Sequence, residues 1–444
     1  MARAAGRRQA GGRLIAMTDT VPHGPDNARR VVEAVWRMDS AKIVAALTRT
    51  VRDLDLAEDL AGQALVEALE QWPDTGVPRN PAAWLTAVAT RRAIDGWRRR
   101  DRLDERYAAL ARELRDDAAG FDTDAWDPDR IDDDVLRLMF VACHPVLNRN
   151  AQVALTLRVV GGLTSDEIAK AFLTRTTAVQ QRIVRAKKTL TAARVPFEVP
   201  AREEFPERLG AVLGVVYLIF NEGYAASSGE EWIRKDLGDE ALRLGRVLAE
   251  LLPGEPEVHG LVALMELTAS RFAARTTPSG EPVLLADQDR TRWDRAQINR
   301  GLAALARADA IGRGRGPYGL QAAIAECHSR APTFEDTDWD RIVLLYDILA
   351  RVAPSPVVDL NRAAALSMAR GPAAALEDID RLVASGALAG YHLLPSVRGE
   401  LLRRLGRAVE ARGELLEAAR LTGNERERSV LLAKAEEVRE SFGL

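Results

Sequence analysis

The sequence has few cysteines, few aromatic residues and no long apolar run. Two cysteines in 444 residues exclude a disulfide framework and favour a reducing compartment. Aromatic residues make up only 5% of the chain. The longest apolar stretch, residues 209–220, is interrupted by glycines and is shorter than the roughly 18 residues that a membrane span needs. We therefore expect a buried helix there, no membrane association and a cytoplasmic protein.

Alanine, leucine, arginine and glutamate are abundant, and runs of strand-forming residues are scarce. This composition predicts an all-α protein. A chain of 444 residues exceeds one ordinary core, so two or three domains are expected. The net charge is only −3, but acidic and basic residues are concentrated in different segments, and this uneven distribution is more informative than the net charge. Residues 1–26 are rich in alanine, glycine and arginine and are predicted to be a disordered tail, with Met1 or Met17 as its start.

Residues 27–103 are predicted to form a small helical domain. In its second helix Leu56, Leu60, Leu65 and Leu69 are expected to mark the buried side. Acidic and amide side chains occupy the opposite side, and they are Asp55, Glu58, Asp59 and Gln63. A third helix starts at Pro81 and ends in an arginine-rich stretch. Six arginines against two aspartates in residues 91–102 favour a phosphate-binding patch, although a solvated helix end has the same composition.

An acidic connector follows at residues 104–133. Residues 101–134 contain thirteen Asp or Glu and five Arg, which is typical of a solvated linker. A run of carboxylates repels nucleic acid, so this segment cannot belong to a surface that binds a DNA duplex.

Residues 134–195 contain a helix-turn-helix pattern. Thr164 and Glu167 form a predicted capping box at the start of the first helix. The turn holds Leu173 where glycine is common, and the second helix runs from Thr176 to about Leu190 with Val179 and Ile183 buried. Seven Lys or Arg and no acid occur in residues 168–197, which indicates DNA as the partner. The residues predicted to contact DNA are Arg175, Thr176, Thr177, Gln180, Gln181, Arg182 and Arg185.

These segments together resemble the extracytoplasmic-function (ECF) sigma factors, which keep only sigma regions 2 and 4. Residues 55–63 resemble the polymerase-gripping helix, residues 81–99 the promoter −10 helix and residues 134–190 the −35 reader. The resemblance implies that Asp55, Glu58, Asp59 and Gln63 face the clamp helices of core RNA polymerase. It implies that the −10 element is met by Arg91, Arg92, Asp95, Arg98 and Arg99. The acidic linker would then thread through the nucleic-acid channel of the polymerase.

More than half of the chain follows the boundary at Pro196. We predict a helical extension over 196–355 and repeats similar to tetratricopeptide (TPR) repeats over 356–441. In these, residues 357–364 return as residues 391–398, 34 positions later, with Arg398 where a small residue would be usual. A C-terminal extension of this kind resembles one ECF subgroup. Stacked helix pairs form a concave surface suited to a protein or peptide partner, which would modulate or complete sigma activity.

Two other functions stay open from the residues alone. One is a helix-turn-helix regulator with a TPR sensor and no polymerase contact, which the acidic face at 55–63 disfavours. The other is an enzyme fused to a DNA-binding module, for which no catalytic constellation is present. The Cys143-His144 and Cys327-His328 pairs lack the local spacing of a zinc module. We therefore expect no enzyme activity, no metal and no cofactor.

Overall fold

The computed structural model describes residues 25–100, 128–172, 174–225 and 233–442. Within these ranges the regular elements are helices, apart from one isolated bridge between Thr276 and Pro282. This confirms the predicted all-α class. None of the described helices is long and apolar enough to cross a membrane. The predicted tail and residues 104–127 of the predicted linker lie outside the described residues, except for the first residues of helix α1.

The chain divides into two compact units, and the first covers residues 1–127. Its described helices are α1 (Pro25–Val51), α2 (Leu54–Thr75) and α3 (Pro81–Arg100). Asp53 starts α2, because its Oδ1 accepts the backbone N–H groups of Asp55 and Leu56 at 2.9 and 3.1 Å. Trp72 is buried at the end of α2 and meets Trp84 of α3 edge-on, with ring centroids 5.4 Å apart.

The buried side of α2 differs from the prediction. Leu60 is buried, but Leu56 and Leu65 are only half-buried and Leu69 is 41% exposed. The buried positions are instead mostly small, and they are Ala57, Leu60, Ala61, Ala64, Ala68 and Trp72. A stripe of alanines lets α2 lie close to α1, against which it packs. The orientation of the helix is therefore set by its small residues, and the prediction that placed Leu69 inside is wrong.

The second unit, residues 128–444, begins with four helices. They are α4 (Pro128–Ala142), α5 (Arg149–Val159), α6 (Ser165–Ala171) and α7 (Thr176–Ala192). Helix α4 starts inside the predicted linker, so residues 128–133 belong to the helix. Helix α5 is buried on every side over residues 151–157, which is expected only of a helix enclosed by others.

The same unit continues into the extension. Its helices are α8 (Phe205–Tyr224), α9 (Lys235–Leu251), α10 (Pro256–Ala269), α11 (Arg295–Ala310), α12 (Pro317–Arg330), α13 (Trp339–Val352), α14 (Pro356–Arg370), α15 (Pro372–Ser385), α16 (Leu393–Arg404), α17 (Ala408–Leu421) and α18 (Glu425–Phe442). Helix α8 packs on α4 and α5, and α9 packs on α4. Part of the extension therefore encloses the helices that precede the recognition helix α7.

The helix pairs of the C-terminal part repeat every 36 residues rather than every 34. Small buried residues recur at Ala363, Gly399 and Ala435, and larger ones at Leu366, Leu402 and Val438. Arg398 is equivalent to Arg362 in this register, not to Ala364. Each of these arginines bridges two neighbouring helices by ion pairs, Arg362 to Asp347 and Asp378, and Arg398 to Asp380 and Glu414. Their bridging role explains why arginine occupies the position where a small residue was expected.

Candidate nucleic-acid and protein interfaces

The polar side of α2 is presented to solvent. Asp55, Asp59 and Gln63 are exposed, and Glu58 is half-buried beside them. Residues four apart lie above one another on a helix, so these three exposed side chains form one line. The structure therefore brings the four predicted residues to a single face. An acidic surface of this kind suits a basic protein partner and repels DNA.

The same face continues into exposed apolar residues, which the sequence prediction did not include. Val66 is 55% exposed and follows Asp59 and Gln63 at helical spacing, and Leu69, three residues after Val66, is 41% exposed. A surface that combines acidic and apolar side chains is typical of a protein-binding site. The misassignment of the buried side of α2 hid this feature.

The end of α3 carries the predicted −10 residues. Arg91 and Asp95 are exposed. Arg92 is instead engaged with α2, because its Nε and Nη2 donate to Oε2 of Glu67 at 3.0 and 2.6 Å. Arg98 and Arg99 lie on the last turn of α3, and their side chains lie outside the described residues. In the described part of this site, Arg91 is therefore accessible to DNA as it stands. Arg92 would first have to break its ion pair with Glu67, and breaking an exposed ion pair costs little free energy.

The helix-turn-helix begins with the predicted capping box. Thr164 Oγ1 accepts the backbone N–H of Glu167 at 3.2 Å, and the Glu167 carboxylate accepts the backbone N–H of Thr164 at 2.8 Å. Thr176 at the start of α7 donates its hydroxyl proton to Asp166 of α6 at 2.7 Å. Thr176 therefore connects the two helices, in addition to standing at the predicted DNA face.

Helix α7 has one buried and one exposed side. Val179, Ile183, Ala186 and Leu190 are buried. Most of the predicted reading residues are exposed, with Thr176 and Arg182 half-buried, and the exposed ones are Arg175, Thr177, Gln180, Gln181 and Arg185. Val184 lies among them at 45% exposure and could meet a thymine methyl group. Arginine and glutamine are the side chains that make paired hydrogen bonds to guanine and adenine.

A groove of about 450 Å³ lies beside the exposed side of α7. Gln181, Arg182 and Arg185 line one wall, and Asn148 and Asn150 from the start of α5 line the other. Asn150 is exposed, while the side chain of Asn148 caps α5 by accepting the N–H of Ala151 at 3.0 Å. The asparagines were not predicted, because no local motif marks a contribution from α5.

The cysteines of the two Cys-His pairs are both buried. Cys143 is buried, and burial raises the pKa of its thiol to about 11. Burial and the neighbouring arginines Arg271 and Arg290 lower the pKa of His328 to about 3. In the described ranges no three His, Cys, Asp or Glu side chains are grouped to hold a metal ion. The glycine–arginine turn at 312–316 is likewise held by ion pairs, from Arg313 to Glu255 and from Arg315 to Asp309.

Three protein-family models match the chain. They are Sigma-70 region 2 over residues 36–103, Sigma-70 region 4 over residues 137–190, and a family of unknown function (DUF6596) over residues 208–309. The first match contains the acidic face of α2, and the second contains the helix-turn-helix. The third begins in α8 and ends in α11, so it covers the helices that pack against α4 and α5.

Two curated relatives agree with these matches. The chain is 46% identical over 386 residues to an uncharacterized protein of Rhizobium meliloti (strain 1021), an alignment that spans 86% of this chain and 89% of that protein. It is 26% identical over 178 residues to the probable ECF RNA polymerase sigma factor SigI of Mycobacterium tuberculosis, in strains H37Rv and CDC 1551. This second alignment spans 40% of this chain and 60% of SigI. The first relative thus shares the extension, and the second shares a shorter part of the chain.

Proposed function

Because the chain belongs to the ECF sigma factors and carries an additional C-terminal domain, we propose that it binds core RNA polymerase and directs initiation at specific promoters. The observation that carries the proposal is that the chain has two exposed surfaces of opposite charge, an acidic and apolar face on α2 and a basic face on α7. Sigma factors act by binding, so no catalytic role is assigned. This function would place the protein on the nucleoid in the cytoplasm.

Core polymerase is the proposed partner of α2. Asp55, Glu58, Asp59 and Gln63 would supply polar contacts at the clamp helices. Val66 and Leu69 would supply the apolar area that a stable contact also needs. Burying these two side chains removes an exposed apolar ridge from water, which favours a protein partner over the alternative of a regulator without polymerase contact.

Promoter DNA is the proposed partner of α3 and α7. At the −10 element Arg91 and Arg92 would contact the DNA, together with Asp95, Arg98 and Arg99 on the same helix end. Arg92 would exchange Glu67 for a phosphate or a base. At the −35 element α7 would enter the major groove with Gln180 and Gln181 towards base edges and Arg185 towards phosphate.

The extension is proposed to complete the sigma factor. It shares one compact unit with the helix-turn-helix, and its helices α8 and α9 cover α4 and α5. The helix pairs from α14 onward would offer a surface to a protein or peptide partner, as TPR-like repeats do. The proposed segments are 27–103 for polymerase and −10 binding, 128–195 for −35 binding, 196–355 for the helical extension and 356–441 for the TPR-like repeats, and the −35-binding segment starts at 128 because its first helix does.

Run-off transcription tests the proposal most directly. Purified core polymerase and this protein would be incubated with a library of promoter templates. We expect transcripts that start at a defined position and depend on both the −10 and −35 sequences. If the protein binds DNA but neither associates with polymerase nor starts transcription, the alternative is supported, which is a helix-turn-helix regulator with a TPR-like sensor. Polymerase association without any transcript would contradict the promoter-directed role.

A further inference from the structure

The last backbone carbonyls of a helix have no partner within the helix and need an outside donor. In α4, α5 and α6 the extension supplies such a donor in each case. Arg208 of α8 donates from Nη2 to the Phe140 carbonyl near the end of α4 at 3.0 Å. Arg243 of α9 donates from Nη2 to the Val160 carbonyl that ends α5 at 3.1 Å. The helices α4, α5 and α6, which precede the recognition helix, are therefore capped by arginines from another segment of the chain.

The third of these contacts is the most buried. Arg234 is 7% exposed and donates from Nη1 to the carbonyl of Ala171 at 2.5 Å. Ala171 is the last residue of α6, directly before the turn into α7. Arg234 also forms an ion pair with Glu222 of α8. A buried guanidinium requires paired and well-oriented acceptors, so this contact fixes the end of α6 against the extension.

The corner between α5 and α6 is equally tight. Arg243 is held by Glu240, with Nη2 to Oε1 at 2.7 Å and Nε to Oε2 at 3.0 Å. A Cβ atom placed on Gly161 would lie 2.9 Å from Glu240 Oε1 and 2.6 Å from the carbonyl oxygen of Leu157. The Leu157 carbonyl of α5 thus makes glycine necessary at this corner, and the Glu240 carboxylate that orients Arg243 lies directly against it.

We propose that Arg208, Arg234 and Arg243 are positioning residues for −35 recognition, so that the extension sets the angle at which α6 and α7 meet DNA. This inference rests on the proposed sigma function, and it assigns to the extension a direct part in reading the promoter. None of the three arginines needs to touch DNA. Their effect reaches the base pairs through the orientation of α7.

Arg234→Met removes the contact to Ala171, and Glu222→Gln in the same chain avoids leaving a buried carboxylate unpaired. The matched control is Arg428→Met. Arg428 is a half-buried arginine that donates to the carbonyls of Ala419 and Thr422 at the end of α17, far along the chain from the helix-turn-helix. Both full-length variants would be compared with the unaltered chain by circular dichroism and thermal unfolding.

The readout is transcription by core polymerase from two templates that share the −10 element, one with the −35 element intact and one with it scrambled. We expect Glu222→Gln/Arg234→Met to lose about tenfold on the intact template, comparable to one paired base contact, and nothing on the scrambled one. Arg428→Met should leave the ratio of the two templates unchanged. Arg234→Lys, which keeps the positive charge and one donor nitrogen, should give an intermediate loss.

Two results would overturn the inference. One is a folded double variant whose template ratio equals that of the unaltered chain. The other is an equal loss on both templates together with lost polymerase association, which would make the arginine a general stabilising residue. If the unaltered chain gives no transcript at all, the proposed function fails instead. Anisotropy with a −35 duplex would then still decide whether Arg234 affects DNA binding, and an unchanged Kd for the variant would again contradict the proposal.

Discussion

Single exposed side chains on α2 carry the proposed polymerase contact. Asp59 is exposed at the centre of the face that includes Asp55, Gln63 and Val66. Reversing its charge should abolish association with core polymerase, because a charge that is repelled within a desolvated interface costs several kcal/mol. The fold should be unaffected, since exposed positions tolerate substitution. Pull-down of core polymerase with Asp59→Arg measures the effect.

Asp74→Arg is the matched control, because Asp74 is exposed on the last turn of the same helix, about 22 Å along the helix axis from Asp59. It should bind polymerase normally. Unchanged association of Asp59→Arg, with circular dichroism equal to that of the control, would contradict the assignment of α2.

On α7, we expect base recognition and phosphate binding to depend on different residues. A glutamine paired with adenine contributes about 1–3 kcal/mol of discrimination, whereas a phosphate contact weakens all sequences alike. Gln181→Ala should therefore relax selectivity at one or two −35 positions, and Arg185→Ala should lower binding uniformly and reduce its salt dependence. Both side chains are exposed on the same groove. The affinities of both variants would be measured for a set of mutated −35 duplexes at two salt concentrations. Identical affinity profiles for the two variants would show that Gln181 and Arg185 do not have separate roles.

His328 should make the protein sensitive to mild acid. Its pKa is lowered to about 3 in the fold, first by burial and then by Arg271 and Arg290. Since the unfolded chain takes up a proton below its ordinary pKa of about 6.5, stability should fall between pH 7 and pH 5, by at most about 2 kcal/mol. His328→Phe, which keeps a ring against Trp339, should lose part of this dependence. Melting curves at both pH values test it, and an equal pH dependence in both proteins would contradict it.

At the scale of helices, glycine sets how closely α8 and α9 cross. A Cβ atom on Gly223 would lie 2.3 Å from the backbone nitrogen of Gly238. Gly223→Ala must push the two helices apart, which should cost about 1–3 kcal/mol or more. Gly210 on the same helix is exposed with nothing within 4 Å of its Cβ position, so Gly210→Ala should stabilise the helix by up to about 1 kcal/mol. Urea unfolding of the Gly223→Ala and Gly210→Ala variants measures both effects. Equal unfolding midpoints would contradict the claim that close helix crossing requires glycine at position 223.

The helices were predictable to the extent that local chemistry defines them. The capping box at Thr164 and Glu167 and the start of the second helix of the helix-turn-helix at Thr176 are confirmed. Local chemistry did not predict which side of α2 is buried, because alanines that permit close packing give a weaker signal than leucines. It also missed the partner of Arg92, since Glu67 lies on a different helix. The repeat register depended on ion pairs between helices, such as that of Arg398 with Glu414, which no single-helix pattern contains.

At the scale of the whole chain, the boundary at Pro196 was predicted from composition, but the way the segments pack was not. Residues 128–444 form one compact unit, in which Phe205 of α8 packs beside Phe140 of α4, with ring centroids 5.6 Å apart and ring planes inclined by 57°. The sequence pattern on α4 and α5 shows apolar residues without showing what covers them. The structure shows that the extension covers them, so the helix-turn-helix and the extension belong to one compact unit.

Truncation after Pro196 should therefore remove more than an appendage. The shortened chain keeps α1 to α7 but loses α8 and α9, and with them the cover over Phe140 and the arginine caps on α4, α5 and α6. We expect a protein that still associates with core polymerase through α2, because α1 to α3 form a separate compact unit. It should not initiate from a −35-dependent promoter, since uncovered apolar surface and uncapped helix ends leave α7 without a fixed orientation.

The comparison is promoter activity of residues 1–196 against the full chain at equal soluble protein, with polymerase association measured in parallel. Equal or higher activity of the truncated chain would mean that α4 to α7 hold their arrangement alone and that the extension restrains the sigma factor or acts independently of it.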